Sequence, residues 1–248
     1  MEYNESTFCS LWTERIKVNN CTDLFINEKF REDYFFNRVN NILCCHDDDV
    51  RPVLAESIRI FSERGLKCFV YIDYSDATLE KILLENRFTL LDTMQAFRSN
   101  IIEVQYENHN IYVDKIDIAL LPVWIDVFCK SFNALEWKSE VERILKMHFN
   151  ELTLLVAYAK SKSNHIPAGC ALLFNLYKLT GLYCLGTVPY LRRQGLARKI
   201  IKVSLDIVRQ QRTDFLICQA FTNEGFAGFY KRLGFQLVYK KKIYVLNI

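Results

Sequence analysis

From residue 111 onward the apolar positions switch between a helical and a two-residue period. Ile111–Ile116 reads as a short strand. From Ile118 to Phe132 apolar residues recur at helical spacing at Leu121, Trp124, Ile125 and Phe128, with Pro122 tolerated in the first turn. Glu140–Phe149 predicts a second amphipathic helix, and Leu152–Tyr158 is a β-branched, apolar run. Ala168–Leu176 and Leu182–Val188 predict two more strands, joined by a turn at Leu179-Thr180-Gly181. A glycine-bearing loop leads to a long helix from Leu196 to Gln211, a strand Phe215–Phe221 and a short helix Glu224–Leu233. A final strand pair runs through Val238 and Tyr244. This order predicts an α+β, layered α/β/α fold whose mostly antiparallel sheet contains one late β-α-β crossover.

The first half repeats part of that order. Setting Phe88 on Phe235 fixes an offset of 147 residues that needs no gaps for about forty positions. Val53, Leu54, Ile58 and Ile60 then fall on Ile200, Ile201, Leu205 and Ile207. Phe69-Val70-Tyr71-Ile72 falls on Leu216-Ile217-Cys218-Gln219, Ser75-Asp76 on Thr222-Asn223, and Ile82 on Phe229. Two domains are expected, 1–105 and 106–248, with the polar stretch Asn100–Asn110 as linker.

Composition narrows the function classes. Half the 248 residues are apolar and a quarter charged, the balance of a soluble globular chain with ample core. No apolar run is long enough to span a bilayer, and acids near Met1 do not suit a secretory leader. A cytoplasmic protein, monomeric or homodimeric, is expected. Nine scattered cysteines without framework spacing suggest reduced thiols, and four isolated histidines give no metal-ligand spacing, so no metal is expected. The net charge of +3 hides an asymmetry. Residues 1–110 hold 12 Lys+Arg against 19 Asp+Glu, a balance of −7, and residues 111–248 hold 20 against 10, a balance of +10. Basic charge in the second half could serve nucleic acid, a membrane surface or a polyanionic small molecule. Lys240-Lys241-Lys242 lies on the terminal strand, where protection of a sheet edge explains it more simply than nucleic-acid binding. Neither nucleic acid nor membrane is expected as a partner.

The loop after Val188-Pro189 carries the chemistry. Arg192-Arg193-Gln194-Gly195-Leu196-Ala197 places basic side chains and a glycine just before a helix, whose free backbone N–H groups and dipole favour a pyrophosphate. Gly195 and Ala197 leave room for close approach, and Arg192, Arg193 and Arg198 add positive charge. Arg192-x-x-Gly195-x-Ala197 resembles the R/Q-x-x-G-x-G/A signature of the GNAT superfamily of N-acetyltransferases. Downstream, Asn223-Glu-Gly-Phe-Ala-Gly-Phe-Tyr230-Lys-Arg-Leu-Gly234-Phe235 is similar to that family's N-x-x-A-x-x-x-Y-x-x-x-G-F pattern, with Phe226 at the usual small position and Ala227 one residue later.

The resemblance covers about 111–248 and implies a GNAT N-acetyltransferase domain, with acetyl-CoA as cosubstrate and an amine, on a small molecule or a protein, as acceptor. Cofactor contacts then fall to Val188, Arg192, Arg193, Gln194, Gly195, Leu196, Ala197, Arg198, Asn223 and Tyr230. The acyl carbonyl sits near Val188, polarised by a backbone N–H, while Asn223 bonds the pantetheine arm or a splayed strand. Tyr230 is the catalytic acid for the leaving thiolate or, alternatively, a packing residue beside Phe229. Glu136, Glu140 and His148 are the acceptor-side groups considered as a base, and surface roles suit them as well. At the 147-residue offset the basic loop falls on Cys45-His46-Asp47-Asp48-Asp49-Val50, and Leu83 replaces Tyr230. The first domain therefore reads as a degenerate GNAT-like copy without a cofactor site. A coenzyme A-binding sensor or scaffold without turnover is the alternative function.

Overall fold

A computed structural model describes residues 1–19, 22–40, 42, 47–100, 108–161 and 164–247. Cys45 and His46 of the acidic loop, and residues 101–107 of the expected linker, lie outside the described residues. The elements run α1 (Glu2–Trp12), β1 (Glu14–Lys17), β2 (Asp23–Ile26), β3 (Arg38–Asn40), α2 (Asp47–Glu63), β4 (Cys68–Asp73), α3 (Ala77–Glu85) and β5 (Thr89–Asn100). They continue with β6 (Ile111–Lys115), α4 (Leu121–Phe132), α5 (Lys138–Met147), β7 (Leu152–Ser161), β8 (Asn164–Leu176) and β9 (Leu179–Thr187). The chain ends with α6 (Leu196–Gln210), β10 (Phe215–Phe221), α7 (Ala227–Arg232) and β11 (Gln236–Leu246).

The chain forms two compact units, each discontinuous in sequence. The C-terminal unit comprises Met1–Glu5, Phe97–Cys218 and Phe229–Gln236; the N-terminal unit comprises Ser6–Ala96, Gln219–Gly228 and Leu237–Ile248. In the C-terminal unit the strand order is β5-β10-β9-β8-β7-β6, antiparallel from β6 to β9 and parallel at β9–β10. In the N-terminal unit it is β1-β2-β3-β4-β11-β5-β10, with β3–β4 parallel and β4–β11 antiparallel. Both are mixed, α+β arrangements.

Helices α4 and α6 seat on the C-terminal unit's sheet for legible reasons. Trp124, fully buried, donates its indole N–H to the Ala171 carbonyl at 2.9 Å. Gly186 of β9 allows the end of α4 to close in, since a Cβ there would stand 2.7 Å from Ser131 Cβ. Along α6, Leu196, Ile200, Ile201, Leu205 and Val208 form one buried stripe, each contributing about 1.5–3 kcal/mol. Elsewhere Asp117 caps the 3-10 turn that precedes α4, accepting from the Ala119 and Leu120 amides.

Several expected details differ. The β8–β9 turn is Tyr177-Lys178, not Leu179–Gly181: Tyr177 takes φ 54° and closes the turn without glycine. Gly181 lies inside β9, where a Cβ would stand 2.6 Å from Asn4 Oδ1. The expected terminal strand pair is the single strand β11. In the N-terminal unit that strand lies between β4 and β5, so Lys240–Lys242 do not protect an edge. Lys241 is buried, and Lys242 pairs with Glu80 at 2.6 Å beside the Tyr244 hydroxyl, which also bonds Glu80. These partners offset the desolvation that would otherwise disfavour lysine in an interior strand. Among the described residues, no helix is long and apolar enough to cross a membrane.

Candidate functional site

Parallel pairing between β9 and β10 runs from Leu179↔Phe215 to Leu182↔Cys218 and stops there. Beyond Leu182, β9 changes character. Tyr183 faces Leu172 and Gly186 faces Cys170, a register shift that inserts Cys184 and Leu185 as a bulge, with Cys184 at φ 53°. Bulges re-aim backbone groups, and this one sits where the parallel ladder has ended. Nothing in the local sequence signals it, because Cys184 is neither glycine nor asparagine.

After β9 the loop is held at several points. The Val188 N–H donates to the Ala168 carbonyl at 2.9 Å, and Pro189–Leu191 forms a 3-10 turn. The Val188 amide is thus engaged by β8. The Arg192 guanidinium donates to Thr187 O at 3.2 Å and to Ser131 O at 3.0 Å. Its side chain therefore ties the loop to β9 and to the last turn of α4, a positioning role that the sequence pattern does not reveal. Arg193 takes φ 62° and Gly195 φ 93°, two left-handed residues that turn the chain into α6. Gly195 is the N-cap and supplies no side-chain cap, so the helix start keeps backbone donors for a ligand. Arg193, Gln194 and Arg198 are exposed, Ala197 half-buried, and Leu196 buried in the core. No acid occurs between Val188 and Leu205. A positive, amide-rich helix start framed by a glycine suits a pyrophosphate.

Tyr230, in the same unit, is buried on α7. Its ring stacks on Phe97 at 5.7 Å and meets Phe229 and Phe235 edge-on, while its hydroxyl bonds the Cys218 thiol at the last rung of the parallel ladder. Burial pushes the Cys218 thiol well above its ordinary range, opposed by that hydroxyl, so it stays protonated. Asn223 belongs to the N-terminal unit and lies on a 3-10 turn, Thr222–Glu224, and α7 begins at Ala227 rather than at the expected Glu224. Its backbone N–H donates to Asp92 Oδ1 and its Nδ2 to Leu91 O, both at 3.2 Å, so it holds β5. Gly225, at φ 72°, and Phe226 separate this turn from α7. Of the acceptor-side candidates, Glu140 is bidentate with Arg143, His148 Nδ1 contacts Glu151 at 2.7 Å, and Glu136 is exposed on the turn before α5. Among the described residues no group of His, Cys, Asp and Glu forms a metal cluster.

The comparisons with known proteins agree with this geometry. A family profile described as Acetyltransferase (GNAT) family matches residues 122–235. No curated protein matches the chain in sequence. Among solved structures, a GCN5-related N-acetyltransferase from Kribbella flavida superposes with a TM-score of 0.72 at 10% identity, over 98% of this chain and 94% of its own. A conserved protein of unknown function from Staphylococcus epidermidis ATCC 12228 gives 0.71 at 12% identity, over 95% and 94%. A tandem GNAT protein from the clavulanic acid biosynthesis pathway gives 0.64 at 10%, over 84% and 74%. At these identities the structures speak for the fold, and they span both halves of the chain. Residues 122–235, which carry the loop and the interrupted parallel ladder, match the GNAT acetyltransferase family.

Proposed function

We propose that the protein transfers an acetyl or related acyl group from acyl-coenzyme A to a primary amine by direct attack. The observation that carries this reading is the end of the β9–β10 ladder at Leu182↔Cys218, followed by the bulge and the uncapped, basic start of α6. In this reading the backbone of Arg193–Ala197 and the charges of Arg193 and Arg198 hold the coenzyme's phosphates, with Arg192 bracing the loop and Val188 beside the acyl carbonyl. The backbone N–H of Leu185 in the bulge polarises the acyl carbonyl. The neutral amine attacks, the C–N bond forms as the C–S bond breaks, Tyr230 gives its phenolic proton to the thiolate, and the proton lost by the amine passes through water and restores the phenol. Asn223 fixes the start of β5. The division into a catalytic domain at 106–248 and a copy without a cofactor site at 1–105 belongs to the same proposal.

A second reading, a coenzyme A-binding module without turnover, draws on the burial of Tyr230 and the engagement of its hydroxyl by Cys218. Calorimetric titration with acetyl-CoA, followed by free-thiol release with a panel of amines, separates the two. Binding with release supports the enzyme, binding without release from any amine supports the module, and no binding removes both.

A further inference from the structure

Next to the loop, the C-terminal unit holds a cavity of about 370 Å³ lined by Asn108, Asn110, Ile111, Ala159, Lys160 and Gln194. Its walls are set by backbone bonds. The Asn110 N–H donates to Asn108 Oδ1 at 3.0 Å, Ile111 N–H to Asn108 O at 3.2 Å, and Lys160 N–H to Asn110 O at 2.8 Å. These bonds, with Ile111 paired to Ala159, hold the start of β6 against the end of β7. Three side-chain amides and one ammonium thus line the same space, and Lys160 forms no ion pair among the described residues.

The charge around it is not cancelled. Of the ten acids in residues 111–248, five are held in ion pairs with lysine or arginine, Asp126, Glu140, Glu142, Asp206 and Asp214, and Glu151 bonds the His148 ring. Among the described residues no acid lines the cavity. A lysine with amide donors and no carboxylate matches a phosphate monoester, which needs charge and several hydrogen bonds at once. A neutral sugar would need acceptors as well as donors and would gain nothing from the ammonium.

We propose that this cavity is a second anion subsite, separate from the pyrophosphate loop, which takes the ribose 3′-phosphate of the coenzyme with Lys160 as its charge partner. The proposal rests on the reading of the loop as a coenzyme A site, which Gln194 joins to the cavity. It also gives residues 108–111 and 159–160 a part in ligand choice.

Titration of the full chain with coenzyme A and with 3′-dephospho-coenzyme A tests it. Wild type is expected to bind coenzyme A about tenfold more tightly than the dephospho form. Lys160→Gln should lose that preference while its affinity for the dephospho form stays unchanged, and Lys160→Arg should keep it. Equal affinity of wild type for the two ligands overturns the subsite and leaves the coenzyme reading standing. So does a Lys160→Gln variant that retains the preference or weakens both ligands alike. If wild type binds neither ligand, the subsite and the coenzyme reading fall together.

Discussion

In α2 the buried Ser57 hydroxyl donates to the Val53 carbonyl at 2.8 Å; in α6, 147 residues on, Ser204 donates to Ile200 at the same distance. The helix ends also correspond. Gly65 at φ 63° and Arg212 at φ 56° are the left-handed residues after α2 and α6, and Leu66 and Thr213 then donate back to Phe61 and Val208. After the next helix, Arg87 at φ 65° answers Gly234 at φ 84°, with Phe88 and Phe235 donating to Leu83 and Tyr230. The two regions thus share their buried hydroxyl and their helix exits, with glycine and arginine exchanged at the left-handed positions. They differ where α2 begins on Asp47-Asp48-Asp49 and α6 on a basic, glycine-bearing loop, and where Leu83 replaces Tyr230. The two copies agree at interior and C-terminal cap positions and depart at the helix starts and one aromatic position.

The sharpest way to break this comparison is at the helix starts. Gly195→Glu puts a Cβ on a residue at φ 93° and a carboxylate at the anion site. Acetyl-CoA affinity should fall on the order of a hundredfold by calorimetry. Asp48→Arg, at the start of α2, should leave affinity within about twofold; a large change there would mean that the first copy takes part in binding.

The aromatic position comes next. Leu83→Ala removes a fully buried side chain and should lower unfolding free energy by about 2–5 kcal/mol, with turnover per folded molecule unchanged. Tyr230→Phe loses one hydrogen bond, about 1 kcal/mol, yet should reduce thiol release by about a hundredfold while coenzyme binding persists. Undiminished release would make Tyr230 a packing residue like its counterpart.

Smaller effects lie at the caps. Arg212→Gly and Arg87→Gly relieve left-handed strain and should each raise stability by about 0.5–1 kcal/mol, whereas Gly65→Ala should lower it by about 1 kcal/mol, read from urea midpoints. If the arginine variants were neutral or destabilised, the two exits would not be equivalent.

The smallest effect concerns pH, and the N-terminal unit alone. Burial pushes the Glu224 carboxyl up, as do the Asp92 and Asp33 charges, against the bond it accepts from the Phe221 N–H. A raised folded value means that folding holds a proton the unfolded chain has lost. Stability is therefore fullest below the unfolded value, about 4.3, and declines as pH rises toward the folded one. Glu224→Gln keeps the acceptor and should flatten that decline in melting temperature between pH 4 and 7. An unaltered slope would assign it to Asp33, whose carboxyl burial also raises.

Much of the C-terminal frame was legible because its signals are local. The stripe on α6 and the apolar run of β10 appear at their expected places, and the offset of 147 sets α2 on α6, β4 on β10 and α3 on α7. The rest depended on distant partners. Lys240–Lys242 interrupts β11 in the sequence, but Glu80, far away in the chain, pairs with Lys242, so a continuous strand could not be read from neighbours. The bulge at Cys184 and the contacts of Arg192 with Ser131 and Thr187 are set by β8 and α4, and no residue type announces them. Residues 1–40 escaped the periodicity because Phe8, Trp12, Phe30 and Phe36 bury against one another in an aromatic cluster rather than in a regular stripe.

The antiparallel ladder between β4 and β11, from Asp73↔Lys241 to Cys68↔Leu246, also sets a timetable. β4 leaves the ribosome long before β11 is made, so Phe69–Ile72 must wait with a sheet edge unsatisfied. Closing so long a loop is slow, and an apolar edge held open during synthesis is the kind of surface that chaperones bind and that aggregates grow from. Yield in the cell should therefore depend on the interval between the two strands as much as on the stability of the finished fold.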